Sequence, residues 1–399
     1  MTFIKRFIQT CLLIPVFLIL HINWSLHYAP NCDNNVNQDV VNQLNYLGQS
    51  MKQDGIDAQM QVYFPEGYFF TNVLYGLAWC DVLKSADKQT PLFKRGVGEI
   101  EWSIGKLNSE EGKRIFNDQL PLPYGAFYNG WLAYLLGNYI EVVGVQNAHP
   151  SLLLLFQNEC AAIQLAISKT ESPYLESYRG MAWPADNILC LAALSLHDKL
   201  LPPQYKPTIS AWLTRIKGKL DPKTGMIPHC FSLSDTVGIE GVRGSSQSLM
   251  HCFLPSIDAD FAKEQFNLYR KNFIQYRLGL PCVREYPLDT EGVGDVDSGL
   301  IIWGVGPAAS VVAIKAMSEN QDFALHASIR NAIEAFGFSI NWDDSKFYLG
   351  KQLPVADAFI AWCNAKNCLN SKQNMPFPWV FHLISLLIVV PFCWWVYKL

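Results

Sequence analysis

The residues best suited to chemistry sit in a few loop motifs. The stretch Arg179-Gly180-Met181-Ala182-Trp183-Pro184-Ala185-Asp186-Asn187 places a carboxylate two residues after a proline, where an apolar helical pattern begins. Such a carboxylate can cap the first turn of a helix, which stabilises by about 1 kcal/mol. It can also point into a cleft and exchange protons as a general acid or base. Trp183 and Trp131 would then form an apolar wall that raises its pKa. Trp131 closes a second motif, Pro123-Tyr124-Gly125-Ala126-Phe127-Tyr128-Asn129-Gly130-Trp131.

Further candidates follow downstream. His229, after Ile227-Pro228, fits a hydrogen-bonding role in the core or proton transfer. Glu240-Gly241-Val242-Arg243-Gly244-Ser245-Ser246 contributes a cation, and its serines lack the strand–turn–helix elbow of a serine hydrolase. Glu285, beside Arg284, reads either as half of an ion pair or as a second acid. In Gly294-Asp295-Val296-Asp297-Ser298-Gly299 the paired aspartates invite a calcium loop, but no glutamate closes it. A helix starting near Leu300 would use one aspartate as its cap, and the other is unassigned by this reading. The catalytic candidates are Asp186, Glu285, Asp297 and His229. The substrate-contact candidates are Tyr128, Trp131, Trp183, Asn187, Arg243 and Tyr286. No Cys/His spacing suits zinc, so neither a metal nor a cofactor is expected.

These motifs need elements to hold them. Helical periods dominate the chain and strand alternation is scarce. Helices are expected over 37–53, 69–86, 99–116, 126–142, 151–169, 185–199, 204–219, 246–256, 258–275, 300–317, 321–337 and 354–366. The stretches 187–196 and 300–314 are apolar on nearly every face and so call for burial all round, whereas their partners 204–219 and 321–337 carry one apolar stripe. Short links join each inner helix to its outer partner. The long loops 171–185, 220–245 and 276–299 lead into the next inner helix, and structureless loops of that length are usually functional. The expected fold is all-α: an (α/α)6 toroid, six helical hairpins in two concentric rings, forming one domain over 33–368. Its mouth lies where the inner helices begin.

Composition places this body. Half of the 399 residues are hydrophobic, and only 17% are charged, which excludes disorder. With 31 basic and 35 acidic residues and no basic cluster, a nucleic-acid partner is excluded. Residues 376–398 form an apolar stretch with aromatics towards both ends, long enough to cross a bilayer. Residues 1–25, with Lys5 and Arg6 ahead of an apolar run, read as an uncleaved signal anchor. Lys5, Arg6 and Lys398 put both tips in the cytoplasm and the body outside. Of the 11 cysteines, Cys363 and Cys368 are close enough to bridge, and burial as small hydrophobes is the plainer reading.

The order of motifs resembles the linalool dehydratase/isomerase family over about residues 70–365. The resemblance rests on Tyr75-Gly76-Leu77-Ala78, Tyr128-Asn129-Gly130, Asp186-Asn187, Leu220-Asp221-Pro222 with Gly225, Val283-Arg284-Glu285 and the loop 294–299. It implies the toroid, and cofactor-free acid/base addition and removal of water on a monoterpene alcohol by a periplasmic oligomer. Aligned on Asp186, the family's two cysteines fall at Trp183 and Ala192, and its histidine falls at Trp131. The expectation is therefore a membrane-anchored lyase or isomerase that uses carboxylates on a small apolar alcohol. A glycosidase-like enzyme with two carboxylates is the alternative, and a non-catalytic envelope protein that binds a terpenoid or glycan is a third reading. Membrane lipid is a partner through the terminal helices.

Overall fold

The computed structural model describes residues 2–234, 237–366, 368 and 376–398. In chain order the helices are α1 (Thr2–Ser25), α2 (Gln38–Asp54), α3 (Ile56–Tyr63), α4 (Gly67–Leu83), α5 (Pro91–Leu107) and α6 (Glu110–Lys113). They continue with α7 (Gly125–Val143), α8 (Pro150–Ser168), α9 (Pro184–Leu200), α10 (Lys206–Lys217), α11 (Gly244–His251) and α12 (Leu254–Ile257). The last are α13 (Ala259–Phe273), α14 (Pro307–Glu319), α15 (Phe323–Phe336), α16 (Pro354–Asn364) and α17 (Trp379–Lys398). Short antiparallel strand pairs fill some of the long loops.

The helix starts follow local chemistry. Prolines occupy the first turn of α5, α8, α9, α10, α14 and α16, where the missing N–H has no intrahelical partner to lose. Thr90, Asp258 and Asp322 accept backbone N–H groups ahead of α5, α13 and α15, which replaces bonds a helix end lacks.

Two kinds of helix result. Every residue of α9 from Pro184 to Leu194 is buried. By contrast α13 buries one stripe, Phe261, Ala262, Gln265, Phe266, Tyr269 and Phe273, so it can shield the core on one side only. Helices α4, α7, α9, α11, α14 and α16 pack in that order, and α16 returns to α4 to close a ring. Outside it, α5, α8, α10, α13, α15 and α2 each pack on an inner helix. The centre of the ring is filled. Trp131 sits with its ring edge-to-face against Phe70, Phe253 and Trp362, at centroid distances of 5.6–5.9 Å.

Several expectations are corrected here. The helix expected over 99–116 runs from Pro91 to Leu107, because Thr90-Pro91 supplies its cap. The apolar run 300–306 is not helical: Leu300, Ile302 and Trp303 are exposed, and Trp303 and Gly304 have positive φ. Helix α14 therefore starts at Pro307 and takes no cap from Asp295 or Asp297. Cys368 pairs with Cys32 across 336 residues, while Cys363 is free and buried. Three helices are long and apolar enough to cross a membrane, namely Lys5–Ser25, α8 and α17. Of these, α8 is part of the outer ring, packed on α7 and α9.

Candidate functional site

The site is built at the end where the inner helices begin. Loop 171–183 is pinned over the start of α7: Ala126 donates its N–H to the Glu176 carbonyl at 2.8 Å. Gly125 has φ +80°, and a Cβ there would stand 2.3 Å from the Ser177 carbonyl oxygen. Only glycine permits both the turn and that approach. The same loop then pairs Met181–Ala182 with Cys230–Ser232 in a three-stranded sheet. Asn187 clamps it from below, accepting from Leu175 N–H at 2.6 Å and donating to the Leu175 carbonyl at 3.1 Å.

This frame sets Asp186. The Ser177 hydroxyl donates to its Oδ2 at 2.6 Å and accepts the Trp183 N–H at 3.2 Å. Among the described residues, no cation forms an ion pair with Asp186. Burial raises its pKa to about 7; Ser177 opposes the rise, and the nearby charges of Glu66 and Asp297 add to it. Asp297 sits on the surface of the facing loop. Partial desolvation, and then Asp295 and Glu66, lift its pKa to about 6. Glu66 immediately precedes α4 and accepts the Tyr178 hydroxyl. The Tyr178 ring lies edge-on to Trp183 at 5.5 Å. Three carboxylates and two half-buried aromatic rings thus share one region.

The remaining candidates fall elsewhere. Glu285 is fully buried and pairs with Arg243, whose Nε donates at 2.9 Å; the ion pair expected with Arg284 is not made. Glu285 also accepts the Ser245 N–H and hydroxyl, so it caps α11. Burial raises its pKa against the opposing pull of Ser245 and Arg243. Arg243 bridges on to Asp295 through both terminal nitrogens. Although burial acts to raise the Asp295 pKa, Arg243 and Ser298 hold it well below the usual range. His229 is buried against Ser246, and burial and then Arg243 lower it to about 4, so it is neutral at pH 7. Its Nε2 lies 3.8 Å from Glu240.

Trp131 and Tyr128 are fully buried, Trp131 in the plug and Tyr128 with its hydroxyl directed to the Leu107 carbonyl at 3.3 Å. This corrects the expectation of Trp131 as an apolar wall beside Asp186 and of both residues as substrate contacts. Tyr286 donates to the Val293 carbonyl and lines an open cavity of about 820 Å³ beside the site. Ser177, Tyr178 and Glu66 were missed from sequence, since nothing periodic marks them. The one available signal was that Glu66, like Asp186, stands where an inner helix begins. Among the described residues, no group of three or more His, Cys, Asp or Glu is placed to hold a metal.

No family model matches the chain, and no curated protein matches it. Solved structures similar to the chain include two unsaturated glucuronyl hydrolases. One is an unsaturated glucuronyl hydrolase specific for heparin, 13% identical, with 92% of this chain and 98% of that chain covered and a TM-score of 0.49. The other is an unsaturated glucuronyl hydrolase from Bacillus sp. GL1, responsible for degradation of glycosaminoglycan. It is 11% identical over 76% of this chain and 86% of that chain, with a TM-score of 0.45.

Proposed function

We propose that this protein is a membrane-tethered carbohydrate-processing enzyme that works by carboxyl acid/base catalysis. In this reading Asp186 is the general acid and Asp297 its ionised partner. The observation that carries it is Asp186: a buried carboxyl with no cation paired to it among the described residues, held through one oxygen by Ser177, and protonated up to about pH 7. A carboxylic acid that keeps its proton near neutrality can protonate a leaving oxygen. Asp297, with its lower pKa, can stay ionised as base or nucleophile. Trp183 and Tyr178 offer ring faces and edges beside these groups for a sugar to stack on. Helices α1 and α17 supply the tether, and Lys5, Arg6 and Lys398 orient the body away from the cytoplasm.

The test is Asp186→Asn in the full chain, assayed for new reducing ends and unsaturated products on a panel of oligosaccharides. Turnover should fall about 10³-fold while the fold is retained. In the unaltered protein, activity should rise as Asp297 ionises through about pH 6 and fall as Asp186 deprotonates through about pH 7. Unchanged turnover in the variant would sink the assignment. A lyase or isomerase acting on a small apolar alcohol uses the same proton on Asp186, and the motif order favours it as the second reading. Loss of water from a terpene alcohol by the unaltered protein, with every glycan untouched, would select that reading instead.

A further inference from the structure

We infer that the mouth of the toroid faces the bilayer, so that the site proposed above takes its substrate from the membrane as a lipid-linked molecule with an anionic head group. The inference rests on that functional reading and on the tether, and three observations support it.

The first is where the terminal helices leave the body. Inner helix α14 runs away from the mouth and α15 runs back, so Phe336, at the end of α15, lies at the mouth end. Helix α1 lies along α15: Asn331 donates to the Leu26 carbonyl at 2.9 Å, and further out His21 stacks on Phe338 at 5.6 Å. Helix α17 starts at the same end, with Val380 against Gly279 and Phe381 edge-on to Phe336. The two helices then run antiparallel, Asn23 meeting Ser385 and Gln9 meeting Val396. Their apolar lengths therefore extend beyond the mouth and not beyond the opposite face. Arg6 and His21 are separated by about 22 Å of helix, less than the roughly 30 Å thickness of the hydrocarbon layer. With Arg6 at the far surface, Phe338 reaches lipid depth.

The second is the distribution of apolar surface. Between residues 26 and 376, the exposed large apolar side chains of the described residues lie on the mouth-end loops, on α3 (Val62 and Tyr63) and at the end of α15 (Phe336), except Leu154 and Leu165 on α8. Val293 and Trp342 are 84% and 71% exposed. Apolar side chains exposed together at one end mark an interaction surface, and the helices that continue from that end identify the partner as a bilayer.

The third is the cavity of about 820 Å³ at this end. Val293, Leu300 and Trp303 supply apolar wall, and Arg277 and Arg284 supply charge. Among the described residues both arginines bond only to uncharged oxygens, Arg277 to the Trp303 and Tyr276 carbonyls and Arg284 to the Tyr286 and Thr290 carbonyls and the Gln275 side chain. Glu291, also on the rim, sets one negative charge against two positive ones. Apolar wall beside two unneutralised guanidiniums suits a lipid phosphate.

The test uses the full chain in lipid nanodiscs, with Cys11 and Cys393 changed to Ser and a nitroxide on Val293→Cys, Trp342→Cys or Gln146→Cys; Gln146 lies on the opposite face. The first two labels should be reached by oxygen in preference to a water-soluble nickel chelate, and the third should show the reverse. Water-exposed labels at both mouth positions would overturn the orientation. In a second arm, a C15 prenyl monophosphate is titrated against the matching alcohol and inorganic phosphate. It should bind at least ten-fold more tightly than either, and Arg277→Gln should remove most of that margin. Equal binding of the alcohol, or phosphate binding as well alone, would overturn the substrate class. Neither arm reads turnover, so a failed glycan assay leaves both results interpretable.

Discussion

Two carboxylates at opposite ends of the ring show what separates a structural acid from a reactive one. Asp81, near the end of α4, is as enclosed as Asp186 at the start of α9. Burial acts on both in the same direction, towards a higher pKa. Asp81, however, meets Lys315 Nζ at 2.6 Å and Lys84 Nζ at 3.5 Å, and these cations outweigh burial and leave its pKa lowered. Asp186 has a serine hydroxyl in place of a cation, together with two carboxylate neighbours. Enclosure is common to the two sites, so the counter-ion decides which carboxyl keeps its proton. The Arg243 network obeys the same rule within the mouth itself: Asp295, paired, stays ionised, while Asp297, two residues on, is lifted to about 6.

The comparison breaks first at its base. Lys315→Met would strand Asp81 without its main partner and should cost about 3–5 kcal/mol of stability in chemical denaturation. Adding Asp81→Leu should recover most of that loss. If the single variant is neutral, the pair does not hold Asp81 in the way described.

The next test is the sign of the pH dependence. A carboxyl whose folded pKa is raised makes the folded state bind more protons than the unfolded one between about pH 4 and 7. Asp186 therefore withdraws stability as pH rises through that window, by about 2–4 kcal/mol. Asp81 does the opposite, because its lowered pKa contributes stability that is lost on acidification. Denaturation of the unaltered protein and of Asp186→Asn should show the variant gaining relative stability from pH 5 to pH 8. Parallel curves would contradict the raised pKa.

Smaller changes sharpen the mouth. Ser177→Ala removes the hydroxyl that opposes the rise, so the alkaline limb of activity should move up by somewhat less than one pH unit, about 1 kcal/mol. Glu66→Gln removes a charge that raises both Asp186 and Asp297. Both limbs should then move down by about a few tenths of a unit, and a shift upward would contradict the shared region.

The ring itself was readable because burial imposes period and composition. All-round apolar runs such as 187–196 announced inner helices, and single stripes such as those of 204–219 and 321–337 announced outer ones. The run 300–306 misled for the same reason: apolar character reports contact with something other than water, and there the contact need not be the protein's own core. Asp186 stood out because proline and tryptophan flank it at a helix start. Its partners did not, because Ser177 and Glu66 reach it through loop geometry that no spacing encodes. Glu285 was read beside its sequence neighbour Arg284, although the residue that neutralises it, Arg243, lies 42 positions earlier. The bridge from Cys368 to Cys32 was hidden in the same way, by distance along the chain.

That bridge and the packing of α16 on α2 and α4 bear on the order of assembly. The first-made helix of the body, α2, meets inner helix α4 early but completes its packing only when α16, some three hundred residues later, has been made. During synthesis the growing arc therefore keeps two raw flanks, one on α4 and one on whichever inner helix came last. Contacts so far apart in sequence form late and slowly. Joining of the two ends then waits for the whole ring to be made, and the bond between Cys32 and Cys368 is the covalent stamp across that junction.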